Sequence, residues 1–173
     1  MPKAGWTALV APVPALDPLL ARVEAARPGA TRPGIPAHVT FLYPFLPMTE
    51  LDATVTDWLA ALAARHAPLS LQFTEVHVEP GFVYLASPLL ESLTDEIRAH
   101  WPNLVPYLGQ FGPNPVAHLS LAIGITDTSP IADLAATALP TTGRLEKLWL
   151  VGHDDGQWLS LGEFPLTGKA TNA

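Results

Sequence analysis

The phrase His-apolar-hydroxyl-apolar is written twice in this chain, as His38-Val39-Thr40-Phe41 and as His118-Leu119-Ser120-Leu121, 80 positions apart. Side chains alternate across an extended strand, so His38 and Thr40 share one face while Val39 and Phe41 share the other. The same parity sets His118 and Ser120 against Leu119, Leu121 and Ile123. Each copy is therefore expected to be a strand that buries its apolar face under helices and presents an imidazole beside a hydroxyl on the other.

The segments between the two phrases repeat as well. Asp17-Pro18, Ser87-Pro88 and Ser129-Pro130 each join a capping residue to a proline at the first helical position, where its missing N–H costs nothing. Apolar residues follow at helical spacing, as Leu90, Leu93, Ile97 and Trp101, and as Ile131, Leu134, Ala135 and Ala138. These signals predict helices over 17–26, 88–101 and 129–139. A further helix is expected over 49–66, with Thr49 and Asp52 as a near capping box and an apolar stripe of Leu51, Val55, Trp58, Leu59 and Leu62. Short β-rich runs read as a first strand at Thr7–Val10 and as hairpins over 69–87 and 144–164, which turn at Glu79-Pro80-Gly81 and Asp154-Asp155-Gly156. A shift of apolar parity between Phe73 and Val76 predicts a bulge.

Helix, Pro/Gly-rich loop (27–36, then 102–115), motif strand, helix and hairpin thus occur twice in one order. The expected architecture is α+β: two pseudo-symmetric lobes, each a small, mostly antiparallel sheet with helices on its outer face, around a central cleft. One bilobal domain over 1–173 is expected, with lobe one at 13–87, lobe two at 88–166 and the strand at 5–12 joining one of the sheets. The tail GKATNA is expected to fray.

Apolar residues make up 49% of the 173 residues and charged ones 14%, enough for a sizeable core and against disorder. The absence of cysteine excludes disulfides, thiolate metal sites and a cysteine nucleophile. The formal charge is −7 and no basic stripe is present, which argues against clamping long nucleic acid through many phosphates. The apolar run near the N-terminus is interrupted by Pro12, Pro14 and Asp17 and reads as a strand rather than a signal peptide. No apolar stretch has the length of a membrane span, and a cytoplasmic location is expected.

Two imidazoles and two hydroxyls brought into one cleft suit the opening of a phosphodiester. The reaction needs a base to take a proton from water and an acid to give one to the leaving oxygen, and histidine serves both roles near neutrality. The hydroxyls of Thr40 and Ser120 can donate to the non-bridging phosphate oxygens. The six histidines lack the close local spacings of zinc motifs, so no metal and no cofactor are expected. His66 and His100 fall at helix ends and read as structural, whereas His77 and His153 lie on or beside hairpin strands and are expected to face solvent.

Two such motifs on strands of a duplicated α+β chain resemble the two-histidine (2H) phosphoesterase superfamily, over residues 5–166. The stretch AHVTFLYPF is most similar to its bacterial 2′-5′ RNA ligase and cyclic phosphodiesterase branch. The resemblance implies metal-free hydrolysis of 2′,3′-cyclic phosphates or related small phosphodiesters, with His38, Thr40, His118 and Ser120 as the catalytic set. By analogy His118 activates water and His38 protonates the leaving oxygen, roles that the pseudo-symmetry makes easy to exchange. Where many RNA-processing relatives carry a basic residue after the second motif, this chain has Ile123. Together with the acidic balance, that departure weakens the case for gripping an RNA chain and favours a small cyclic nucleotide or another compact phosphodiester. The expected partner is a small nucleotide or an RNA 3′ end bearing a cyclic phosphate, with no long nucleic acid and no membrane, and the protein is expected to be a monomer.

Tyr43, Phe111 and Trp149 are the stacking candidates drawn from a set that includes Phe45, Tyr107 and Trp158. Arg32, ahead of Arg144, is the candidate for a second phosphate. The competing readings are a 2′-5′ RNA ligase, a nucleotide-binding module without chemistry, and a structural α+β protein whose motifs are accidental.

Overall fold

A computed structural model describes residues 3–170. Among the described residues, nine strands and four α-helices occur in the order β1 (Trp6–Pro12), α1 (Asp17–Ala26), β2 (His38–Leu42), α2 (Ala53–Arg65), β3 (Leu69–Phe73), β4 (His77–Glu79), β5 (Phe82–Ala86), α3 (Glu91–His100), β6 (His118–Ile123), α4 (Ser129–Ala136), β7 (Thr141–Leu145), β8 (Lys147–Asp154) and β9 (Gln157–Pro165). The chain is α+β, as expected, with antiparallel pairing throughout. The two motif strands are direct neighbours in a seven-stranded sheet of order β4-β5-β6-β2-β1-β8-β9. Strands β3 and β7 form a separate ribbon.

Alternation along the strands divides the large sheet into two faces. Leu9, Ala11, Val39, Phe41, Val83, Leu85, Leu119 and Leu121 are buried in one core with Leu19, Val23, Leu59, Leu62, Leu93, Ile97 and Ile131 of the four helices. An apolar sheet face must be covered, and here the helices cover one side only. The opposite face is left to carry the motif side chains.

Strand partnership departs from the expected lobes. The boundary near residue 87 would separate β5 from β6, yet these pair over Phe82–Ala86. The hairpin β4-β5 from the first half of the chain flanks the second motif strand, and β8-β9 from the second half joins the first motif strand through β1. The two halves thus exchange hairpins and meet edge to edge in one sheet.

The parity shift after Phe73 is a break rather than a bulge. β3 leaves to pair with β7, and the chain re-enters the large sheet as β4. The run 144–152 breaks in the same way at Glu146, between β7 and β8. Each expected hairpin therefore contributes one half-strand to the ribbon that ties the two halves of the chain together. Gly143 is required there, because a Cβ on it would collide with Val13 Cγ1.

Helix ends also differ from expectation. Asp52 is itself the N-cap of α2, its Oδ1 accepting from Val55 N at 3.1 Å, so the helix starts later than Thr49. Ser87 makes no capping bond, and Asp17 and Ser129 are the first helical residues of α1 and α4, whose N-cap positions Leu16 and Thr128 make none either. Asp17 Oδ1 instead accepts from Ala37 N at 2.7 Å and so fixes the entry to β2. The tip of the β8-β9 hairpin has Asp155 at φ 44 and Gly156 at φ 78, the left-handed pair that a tight two-residue turn demands. Of the tail expected to fray, Gly168 N donates to His66 O at 2.9 Å, and residues 171–173 lie outside the described residues.

Candidate active site

The β2–β6 ladder pairs Val39 with Leu119 and Thr40 with His118. The same antiparallel register carried one step further sets His38 opposite Ser120. All four side chains share the uncovered face, each imidazole opposite the hydroxyl of the other motif.

Both histidines are held by one device. His38 Nδ1 lies 2.7 Å from Pro36 O, and His118 Nδ1 lies 2.8 Å from Val116 O, in each case the carbonyl two residues earlier. A carbonyl only accepts, so each Nδ1 carries the proton and each neutral ring keeps its lone pair on Nε2. Burial pulls His38 below the ordinary imidazole value, and the Arg32 charge adds to it, against the bond to Pro36. Burial pulls His118 further, to about 4, with Arg98 and His38 acting in the same direction against the Val116 bond. Both rings are thus neutral at pH 7 with no ligand bound.

A cavity of about 340 Å³ opens over this face. Its walls include His38, Thr40 and Ser120, with Arg32, Tyr43 and Phe111, so the face collects three of the four motif residues and three of the four expected substrate contacts. Arg32 is the one basic residue in the wall and is exposed. Ile123 also lines it, so the departure noted above places an apolar side chain in the wall.

Two expected residues lie elsewhere. Trp149 is not in the cavity wall; its Nε1 donates to Ser160 Oγ at 2.8 Å, and it packs against the small cluster of Ala8, Val10, Ile35 and Val151. Trp158 and Trp6 form the aromatic wall in its stead. His118 is only 3% exposed and sits behind Tyr107, whose hydroxyl is 3.2 Å from His118 Nε2. Burial pushes the pKa of the phenol up to about 12, against a smaller opposing effect of the Thr40 hydroxyl. Phe82 and Tyr84 close the other sides of the His118 ring, at 5.1 and 5.0 Å between centroids.

Among the other histidines, His100 stacks on Trp58 at 4.0 Å, His66 Nε2 contacts Glu96 at 2.7 Å, and His77 stacks on Tyr84 at 5.0 Å. Contrary to expectation, His77 and His153 are both partly buried, and His153 Nδ1 is enclosed without a partner. Neither lines the cavity over the motifs. A larger cavity, about 540 Å³, lies on the flank formed by His77, Tyr84 and α3 and contains none of the four motif residues.

Sequence reading misses Arg98. From the last turn of α3 its Nε and Nη2 donate to Phe41 O at 3.3 and 3.1 Å, and its Nη1 donates to Pro115 O. One guanidinium thereby holds the end of the first motif strand and the approach to the second. A single basic residue at a helix end carries no sequence signal for such a clamp. Among the described residues no helix is long and apolar enough to cross a membrane, and no three His, Asp or Glu side chains gather where they could hold a metal ion.

The fold agrees with comparisons to known proteins. E. coli LigT complexed with 3′-AMP is 18% identical, with a TM-score of 0.62 over 95% of this chain and 99% of that one. E. coli LigT complexed with NADP+ is 20% identical with a TM-score of 0.60 over the same shares. The Thermus thermophilus protein TT0787 is 16% identical with a TM-score of 0.62, again over 95% and 99%. No curated protein matches the chain. The model of the 2′-5′ RNA ligase superfamily matches residues 12–157, and with two neighbouring His-x-Thr/Ser strands at the site this chain belongs to that superfamily, the two-histidine phosphoesterases.

Proposed function

We propose that the protein is a cyclic phosphodiesterase that hydrolyses 2′,3′-cyclic phosphates of small nucleotides, or of an RNA 3′ end, with His38 and His118 as its acid and base. The observation that carries this reading is the matched bond from each Nδ1 to the carbonyl two residues earlier, on adjacent strands of one sheet face. It leaves two Nε2 atoms as the groups able to exchange protons with a ligand between them.

In the proposed step, water attacks phosphorus: its oxygen forms a new P–O bond as the in-line P–O bond to one ribose oxygen breaks, and the ring opens. One Nε2 takes the proton from the attacking water, and the other, protonated, gives its proton to the leaving oxygen. Hydroxyls of Thr40 and Ser120 donate to the non-bridging oxygens. The more deeply buried His118 resists protonation and suits the base; His38, which keeps an edge on the cavity, suits the acid once the anionic phosphate favours its charged form. The aromatic wall of Trp6, Tyr43 and Trp158 suits a nucleobase, and the single arginine of the wall suits a compact anion more than a long RNA.

The test is incubation with the four nucleoside 2′,3′-cyclic monophosphates in EDTA, with products resolved as 2′- or 3′-phosphates. Turnover that falls about 10²–10⁴-fold in both His38→Ala and His118→Ala is the expected result. Turnover that survives in the double variant would overturn the assignment.

A further inference from the structure

An imidazole nitrogen in its neutral form offers one in-plane lone pair, and that of His118 Nε2 is already taken. The Tyr107 hydroxyl stands 3.2 Å from it, and Thr40 is the cross-strand partner of His118 on the same face. Because the phenol stays protonated far above neutral pH, it is the donor in this contact. With Phe82 and Tyr84 packed on the remaining sides and 3% of the residue exposed, no ligand atom can reach His118 while Tyr107 is in place. The spot between the Thr40 hydroxyl and His118 Nε2 is where a ligand oxygen held by both motifs must sit.

The segment that carries Tyr107 is tied to the rest of the fold through this residue: its N–H donates to Tyr43 O, and its ring meets those of Phe111, His118 and Tyr43 at 5.2, 5.5 and 6.1 Å between centroids. The other backbone bonds, Leu108 N to Val105 O and Gln110 N to Tyr107 O, stay within the turn. Tyr107 and Leu108 lie at φ 52 and 54, left-handed values that bring the Cβ of a non-glycine residue too close to the following carbonyl. Leu108 is 70% exposed, and Gly109 and Gly112, both at φ 82, follow. The turn over the buried His118 is therefore strained at two residues and exposed at Leu108.

We propose that Tyr107 is a plug: its phenol occupies the seat of a phosphate oxygen between Thr40 and His118, and the turn around it swings out to admit an anionic ligand. The proposal rests on reading the two motifs as a phosphate site. It makes the closed form self-inhibited, and it selects for ligands able to replace the phenol at both Thr40 and His118 at once. A Tyr107 that stayed and donated to the ligand would instead be part of the binding machinery, and the two behave oppositely on substitution.

Inorganic phosphate is titrated into the wild type, Tyr107→Phe and Tyr107→Ala, followed by the ring resonances of His38 and His118 and the amide of Leu108. Loss of the competing hydroxyl is expected to tighten phosphate binding about 2–10-fold in Tyr107→Phe. The alanine variant should bind at least as tightly, and in the wild type the Leu108 amide should move together with the His118 ring. Weaker or unchanged binding in Tyr107→Phe, or a His118 response with Leu108 fixed, would overturn the plug, as would a lack of response at both histidines in all three proteins. Phosphate binding needs no turnover, so competition by Tyr107 in a protein inert towards every cyclic phosphate would refute the enzymatic reading and leave the plug standing.

Discussion

Thr40 and His118 are direct cross-strand partners, so the hydroxyl of the first motif faces the imidazole of the second. Neither motif is a self-contained unit. A ligand oxygen that bonds one motif's histidine lies next to the other motif's hydroxyl, and damage to either strand is felt at both. Removing the hydroxyl while keeping the shape, in Thr40→Val, or removing it in Ser120→Ala, is expected to lower kcat/KM on a cyclic phosphate about 10²-fold. Full activity in both variants would show that the hydroxyls are bystanders.

Burial of His118 has a consequence for acid stability. Its pKa lies near 4 in the folded chain against 6.5 for a free imidazole, so between those values the unfolded chain binds more protons. The stability due to this group is complete above about pH 6.5 and is lost as the pH falls towards 4, by on the order of 3 kcal/mol. His38, also lowered, adds to the same slope. Melting temperatures between pH 7 and 4 are expected to fall less steeply for His118→Gln than for the wild type. An unchanged slope would mean that His118 is not protonated on acid unfolding.

Arg98 secures the backbone of both motif approaches through the carbonyls of Phe41 and Pro115. Arg98→Met leaves those acceptors without their charged donor and is expected to cost about 2–4 kcal/mol. Arg98→Lys should recover little, since an ammonium cannot reproduce the planar fork. Denaturant titration of the three proteins gives the comparison.

Gly143 touches Val13 across the ribbon–sheet junction. Gly143→Ala drives a methyl into Val13 Cγ1 and is expected to destabilise the chain by about 1–3 kcal/mol. Val13→Ala in the same molecule makes room, so the double variant should be more stable than the sum of the two single losses. Simple additivity in thermal unfolding would place the strain elsewhere.

Much of the site is legible in the sequence because it depends on local rules. The period-two alternation of His38-Val39-Thr40-Phe41 sets which side chains face the core, and α1 spans the 17–26 read from Asp17-Pro18 and its apolar spacing. Parity identifies a face and nothing finer. Strand pairing puts Trp149 on the same face as His38, yet Trp149 lies two strands from the first motif and outside the cavity wall, which its sequence does not reveal. The break after Phe73 reads as a bulge because a parity change has the same signature whether the strand kinks or changes sheet. Tyr107 can be named as an aromatic near the site, but nothing in its neighbours announces that it covers His118.

By itself the sequence determined the two motif strands, their polar and apolar faces, the four helices and the hairpin tip at Asp155-Gly156. Each of these follows from interactions between residues a few positions apart. Tertiary structure alone decided that β2 lies beside β6, that the halves exchange hairpins, that Arg98 clamps both approaches and that Tyr107 stands on His118. Strands pair through backbone N–H and C=O groups that are the same at nearly every residue. A strand's partner is therefore chosen by the packing of the whole core, which no single segment encodes.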